Sequence, residues 1–268
     1  MNALRRAARA YPTLLRVGIS EVVAYRAEFL VWILTTNMPL VMLSLWLAVV
    51  ADGPVGRFGR KEYIAYYLGL LVVRLVTSSW VVWQLTMDIR QGAVAVKLLR
   101  PLHPLIAYSA EHVAAVPLRV LIVSPVLLVL WSAAGDVLTV RDPVLLGIFL
   151  LSLVGAWLLV FLTMVIIGSL AFFIESALGL YSLWLAIHTI LSGYLIPLEQ
   201  FPASIQRVSK LLPFWYTLGF PVELLIGMRN HADALRYLGA QWAYVAGLFA
   251  LAHLTWRSGM RRLVAYGG

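Results

Sequence analysis

The 268-residue sequence contains no cysteine, and Asp, Glu, Lys and Arg together make up only 12% of it. The first absence excludes a disulfide framework and any thiolate metal site. The second excludes an ordinary soluble domain, which carries about twice that charged fraction. No GxxxxGK(S/T) phosphate loop occurs, so the chain cannot bind and hydrolyse ATP by that route. Nor is there an HExxH or another close His/Asp cluster with metal spacing; His103 and His112 stand nine residues apart around a proline-broken segment. Nothing marks a Ser/His/Asp constellation. No internal repeat, low-complexity tract or second domain is visible, and residues 1–268 read as one domain.

What the chain has is apolar residues, 62% of it. A helical span needs roughly 20 of them in a row, and six runs meet or approach that length: 28–50, 63–87, 113–134, 143–173, 178–196 and 235–256. The expected fold is therefore an all-α integral membrane protein with six transmembrane helices. Ahead of them, residues 1–27 read as an amphipathic interfacial helix. Leu4, Ala8, Tyr11, Leu15 and Val22 fall near one face, and Arg5, Arg6, Arg9 and Arg16 are polar. Pro12 is expected to kink or restart that helix. The basic N-terminus lacks a short apolar core followed by a small-residue cleavage site, so no cleavable leader is expected.

Six spans put both termini on one side. The segments sharing that side (1–27, 88–112, 174–177 and 257–268) carry more Lys and Arg than the opposite loops, which places the termini in the cytoplasm and 197–234 outside. The net charge of +9 fits contact with anionic membrane lipids, and no nucleic-acid module accompanies it.

One polar stretch interrupts the apolar runs: "DIRQGAVAVKLLRPLHPLIAYSAEHV", Asp88 to Val113. Its first half suits a short helix on the membrane face, which "RPLHP" ends, because residues before proline avoid the α region. An ordinary topology-setting loop and a docking element for a cytosolic partner both fit these residues.

Four stretches, in this order between the spans, resemble the permeases of the ABC type-2 exporter family, in particular the short bacterial six-span branch encoded beside a separate ATPase. They are "AYRAEFLVW" (24–32), "DIRQGAVAVKLLRPLHPL" (88–105), "SGYLIPLEQFP" (192–202) and "LPFWYTLGFPVELLIG" (212–227). The arginine-proline step after the second span and the proline-rich pair of short helices before the last are the more specific features.

The resemblance implies a coupling helix at 89–104 seated on a nucleotide-binding subunit, with Asp88, Arg90, Lys97, Leu98, Arg100, Pro101 and His103 in the contact region. The N-terminal helix would be the second contact. It implies two cytosolic ATPase subunits, a second permease (identical or related), and a place in the bacterial cytoplasmic membrane. This chain itself would bind no cofactor, ATP and Mg being held by the partner. An amphipathic or hydrophobic substrate would be exported, and short re-entrant helices at 197–228 would cap the extracellular mouth. The gate expected there comprises Ile205, Val208, Leu212, Phe214 and Trp215. The first three are read as one apolar face of a helix between Pro202 and Pro213, pressing on the span ends, with Gln206 exposed. Pro221 would open a second short helix and Gly227 end it.

Charges inside the spans are functional candidates by default. Arg74, deep in the second span, suits either a polar cavity or structural pairing, whereas Arg119, near the start of the third, is expected to snorkel to the inner headgroups. Trp80 and Trp184 are candidate cavity-lining residues; Trp83, Trp215 and Trp242 fit the interfacial belt or helix packing better. Glu175 is read as a solvated cytoplasmic end, and His188 as a hydrogen-bonding partner of a neighbouring helix. Ser152/Ala156 and Ala243/Gly247 have the spacing of close helix contacts. Two rival classes remain from sequence: an integral membrane enzyme acting on a lipid-linked substrate, for which no polar constellation at an interface is found, and a non-transporting membrane scaffold or immunity subunit.

Overall fold

The computed structural model describes residues 3–25, 38–134 and 142–267. The beginning of the expected first span, the stretch at 26–37, and the loop at 135–141 lie outside the described residues. Within them the chain is helical, with no strand. The elements are α1 (Ala3–Ala24), α2 (Met38–Val49), α3 (Arg60–Thr77), α4 (Val81–Arg90), α5 (Ala93–Leu98), α6 (Pro104–Ala114), α7 (Val116–Ala134) and α8 (Pro143–Ser169, continued by a 3-10 turn at Leu170–Phe172). They are followed by α9 (Ala177–Leu191), α10 (Ala203–Lys210), α11 (Phe214–Thr217), α12 (Gly219–Leu225) and α13 (His231–Gly267).

Among the described residues three helical stretches are long and apolar enough to cross a membrane: Arg60–Arg90, Pro104–Leu130 and Pro143–Phe172. Met38–Val49 and Ala177–Leu191 are shorter apolar helices.

Helix α8 is the centre of the packing. It is apolar on all sides, which favours burial among other helices over a one-sided contact, and α3, α4, α9, α12 and α13 all pack on it. Asp142 starts it by accepting the N–H groups of Val144 (2.8 Å) and Leu145 (3.4 Å), with Pro143 at the first helical position, where no hydrogen is missed. Those two N–H groups, the Val144 bond foremost, hold the Asp142 carboxyl below its ordinary range. A Cβ on Gly155 would stand 2.8 Å from the Gln241 side chain, so glycine admits α13 there. Gln241 in turn donates to the carbonyls of Ser152 (3.0 Å) and Tyr216 (2.9 Å). Ser152 and Ala156 are thus buried as expected. Ala243 and Gly247 lie on the exposed side of α13 and make no such contact among the described residues.

Several expected boundaries move. Pro12 sits inside a continuous α1. The second span is two helices, α3 and α4, separated at Ser78–Trp80. The third begins at Pro104, with His103 accepting the Leu105 N–H at Nδ1 (3.3 Å), so the polar segment between the second and third spans is shorter than expected. The helix of the fifth span stops at Leu191, and the last helix continues past Trp256 to Gly267.

Candidate functional site

The expected coupling segment is held by a half-buried knot. Asp88, at the end of α4, accepts from Lys97 Nζ of α5 and from the Tyr108 hydroxyl of α6, each at 2.5 Å. The Lys97 ammonium also lies 4.4 Å from the centroid of the Tyr108 ring. Gly92, with φ +73°, makes the sharp turn between α4 and α5 that a residue bearing a Cβ would resist. Gln84 adds a second brace from α4 to α6 through Glu111, at 2.6 Å.

Of the coupling residues named from sequence, Asp88 and Lys97 are therefore spent on internal contacts. Arg90, Leu98, Arg100, Pro101 and His103 are exposed, as are Val96 and Leu99, which sequence reasoning passed over. Leu99 is 85% exposed. Helix α1 docks on α6 beside this surface: Gly18 is buried there, where a Cβ would stand 2.7 Å from that of Ala114. Tyr11 meets Ser109 at 3.5 Å.

At the other end, residues 192–230 form a compact cap. Tyr66 and Tyr67 of α3 donate to the carbonyls of Gly193 (2.7 Å) and Leu195 (2.6 Å). The Gly219 N–H donates to the Ser192 carbonyl at 3.0 Å. Three carbonyls of the non-helical turn after α9 thereby receive donors from the protein itself.

Below the turn, Trp215 is fully buried, and its Nε1 donates to Glu223 at 3.2 Å. Arg229 grips Glu223 through Nε (2.7 Å) and Nη2. The same Nη2 lies 3.5 Å from Glu199, which also pairs with Arg57. Glu223 is 1% exposed, and burial pushes its carboxyl up against the opposing pull of Arg229. This chain of alternating charges was not legible in the sequence, since its members come from three separate stretches, at 57, 199 and 223–229, without a motif.

Among the expected gate residues, Ile205, Leu212 and Phe214 are half-buried and Trp215 is the anchor of the cap. Val208 is 49% exposed, and Ser209 is the buried residue of α10. The inward face is thus Ile205, Ser209 and Leu212, one position off the apolar stripe. Gln206, expected to be exposed, is half-buried and staples the preceding turn by donating to the carbonyls of Phe201 (2.8 Å) and Glu199 (3.2 Å). Pro221 falls in the first turn of α12, and Gly227, with φ +69°, follows its end.

Between the two ends lie the cations inside the spans. Arg119 does not snorkel: it is 1% exposed and donates from Nη1 to the carbonyls of Ser78 (2.7 Å) and Val76 (3.4 Å). These are carbonyls that the break between α3 and α4 leaves without their usual intrahelical partners. The break sets Trp80 against the Arg119 guanidinium (5.1 Å) and the His112 ring (4.4 Å). Arg74 is half-buried, 4.3 Å from the centroid of the Tyr194 ring. Trp184 stacks on Tyr181 and packs on His188, and His188 Nε2 meets Thr217 Oγ1 at 2.8 Å, the expected interhelical bond. Trp83 packs edge-on to Tyr181 at 4.6 Å. Glu175 is exposed, as expected.

Residues 33–267 match the family described as ABC-2 family transporter protein. No curated protein matches the chain.

Proposed function

The chain belongs to the ABC-2 family of transporter proteins, and from that premise we propose that it is the permease half of an ATP-driven exporter. It crosses the bacterial cytoplasmic membrane six times with both termini inside, pairs with a second permease, identical or related, and seats two cytosolic ATPase subunits. Its substrate is amphipathic or hydrophobic and leaves along the permease interface past the cap at 197–228.

The observation that carries this reading is the exposed edge of α5 and its exit. Val96, Leu98 and Leu99 present apolar side chains between Arg90 and Arg100, where solvent would otherwise cover them. A short apolar edge flanked by cations suits an anchor in a groove with a charged rim. The element is rigid enough to transmit a push, because Asp88, Lys97 and Tyr108 tie it to α4 and α6. A push there travels along α4 to the break below Arg119, and along α6 to α7. Helix α1, packed on α6, receives the same motion.

Co-expression with the ATPase of the same transporter tests the reading. Leu99→Glu combined with Arg100→Glu is expected to leave the permease inserted and monodisperse. It should lower co-purification of the ATPase and permease-dependent ATP hydrolysis by at least roughly ten-fold, the equivalent of about 1.4 kcal/mol of interface energy. Unchanged co-purification and hydrolysis would make 89–104 an ordinary loop.

A further inference from the structure

We propose that Arg74, framed by Tyr181, Trp184, His188 and Tyr194, binds the anionic head group of a membrane amphiphile, a phosphate or carboxylate carried on an apolar tail. The inference rests on the permease reading and gives its substrate a charge.

Arg74 lies midway along the Arg60–Arg90 stretch. A guanidinium at that depth is unfavourable unless it is paired or hydrated. Among the described residues Arg74 has neither a carboxylate nor a hydrogen-bond acceptor; its contact is the face of the Tyr194 ring. A ring face offsets only part of the loss of water. Arg119, in contrast, spends its charge on backbone carbonyls. The guanidinium of Arg74 retains donors in the fork geometry that suits an oxyanion.

The surroundings fit the rest of such a molecule. Tyr181, Trp184 and His188 follow one another at three and four residues along α9, so they share a face. The charge of Arg74 reaches Tyr181, His188 and Tyr194. The opposite side of α9 is apolar, and Leu183, Ile187 and Ile190 on it are exposed among the described residues. The head would rest on the Tyr181–His188 face beside Arg74, and the tail would pass round α9 to reach its apolar side. Tyr194 is held in position because its neighbours' carbonyls are fixed by Tyr66 and Tyr67, so the frame is pre-formed rather than induced.

The test uses the full chain in phosphatidylcholine nanodiscs, without ATPase, so a failure of coupling cannot be confused with a failure of binding. Three radiolabelled probes share one tail: dodecyl phosphate, dodecyltrimethylammonium and dodecyl maltoside; binding to empty discs is subtracted. The wild-type protein should bind the phosphate at least roughly ten-fold more tightly than the ammonium, about the worth of one charge-assisted contact. Arg74→Gln should erase that preference, and Arg74→Lys should keep most of it. If phosphatidylglycerol in the disc displaces dodecyl phosphate, the oxyanion site is occupied by bilayer lipid; if it does not, the site selects a single-chain exported amphiphile. Equal binding of phosphate and ammonium by the wild-type protein, or an unaltered preference in Arg74→Gln, overturns the proposal and leaves Arg74 as a clamp on the Tyr194 turn.

Discussion

The guanidinium of Arg119 donates to the carbonyl of Ser78 at 2.7 Å, across 41 residues of sequence. Ser78–Trp80 interrupts the helical ladder, and Arg119 supplies donors that the backbone no longer does. A charge and a helix break, each unfavourable alone in a membrane, satisfy one another. Together they give the Arg60–Arg90 stretch a joint between α3 and α4.

Arg119→Met should therefore destabilise the protein by about 2–3 kcal/mol, the worth of a hydrogen bond to a charged group together with the carbonyls it abandons. Arg119→Lys should recover only part of this, since an ammonium is more strongly hydrated than a guanidinium and is costlier to bury. The apparent unfolding temperature of detergent-purified protein, followed by size-exclusion fluorescence, reads both. Equal stability of Arg119→Met and wild type would mean that the break is satisfied by other groups.

In the cap, the roles of Gln206 and Val208 are the reverse of what their residue types suggest. Gln206 bonds two carbonyls of the turn before α10, and Val208 faces outward. Gln206→Glu should lower the unfolding temperature, because a carboxylate would face the Glu199 and Phe201 carbonyls with no donor, at about 1–3 kcal/mol for buried acceptors left unmet. Val208→Glu should change it by less than about 0.5 kcal/mol, as exposed substitutions do. Similar losses at both positions would place Val208 in a packed interface.

Two helical glycines separate packing from propensity in the same assay. A Cβ on Gly219 would stand 2.4 Å from the Trp215 ring and 2.8 Å from the Ser192 carbonyl, whereas Gly239 has nothing within 4 Å. Gly219→Ala should unseat the buried Trp215 and lower the yield of folded protein severely. Gly239→Ala should be neutral or mildly stabilising, by up to about 1 kcal/mol. Tolerance of Gly219→Ala would show that α11 and α12 move apart easily.

The sequence exposes local signals and hides distant ones. The fourth span was legible to within a residue or two, because a long apolar run begins at an Asp-Pro cap and ends at a polar turn. The joint at Ser78–Trp80 was not, since "VTSSWV" holds neither glycine nor proline and its carbonyls are met from α7. The end of the last helix was misread for a similar reason. Gly259 and three arginines suggest a tail, but Gly259 is small because a Cβ would stand 2.2 Å from the Phe172 ring, and the helix runs through it. The coupling knot was half legible: charge and proline spacing marked the segment, but which of its residues turn inward depends on Tyr108, a residue with no signature of its own. The Glu223 network has even less local trace.

Helix α13 extends for 37 residues, about 55 Å at 1.5 Å per residue, against a hydrocarbon core of about 30 Å. If it crosses the membrane, its two ends must emerge on opposite faces, and the cap before it and the arginines near its end lie on different sides. Ser204, on α10, and Ser258, on the far part of α13, are both exposed. Because the chain has no cysteine of its own, Ser204→Cys and Ser258→Cys each introduce a single thiol with little change in shape. In intact cells an impermeant maleimide should label Ser204→Cys and leave Ser258→Cys unlabelled. In inside-out vesicles the pattern should reverse. The positive-inside bias of the segments around the termini predicts this sense rather than its mirror image. Labelling of both positions from one side would remove the crossing of α13 and, with it, the six-span arrangement on which the cap and the coupling face are assigned to opposite compartments.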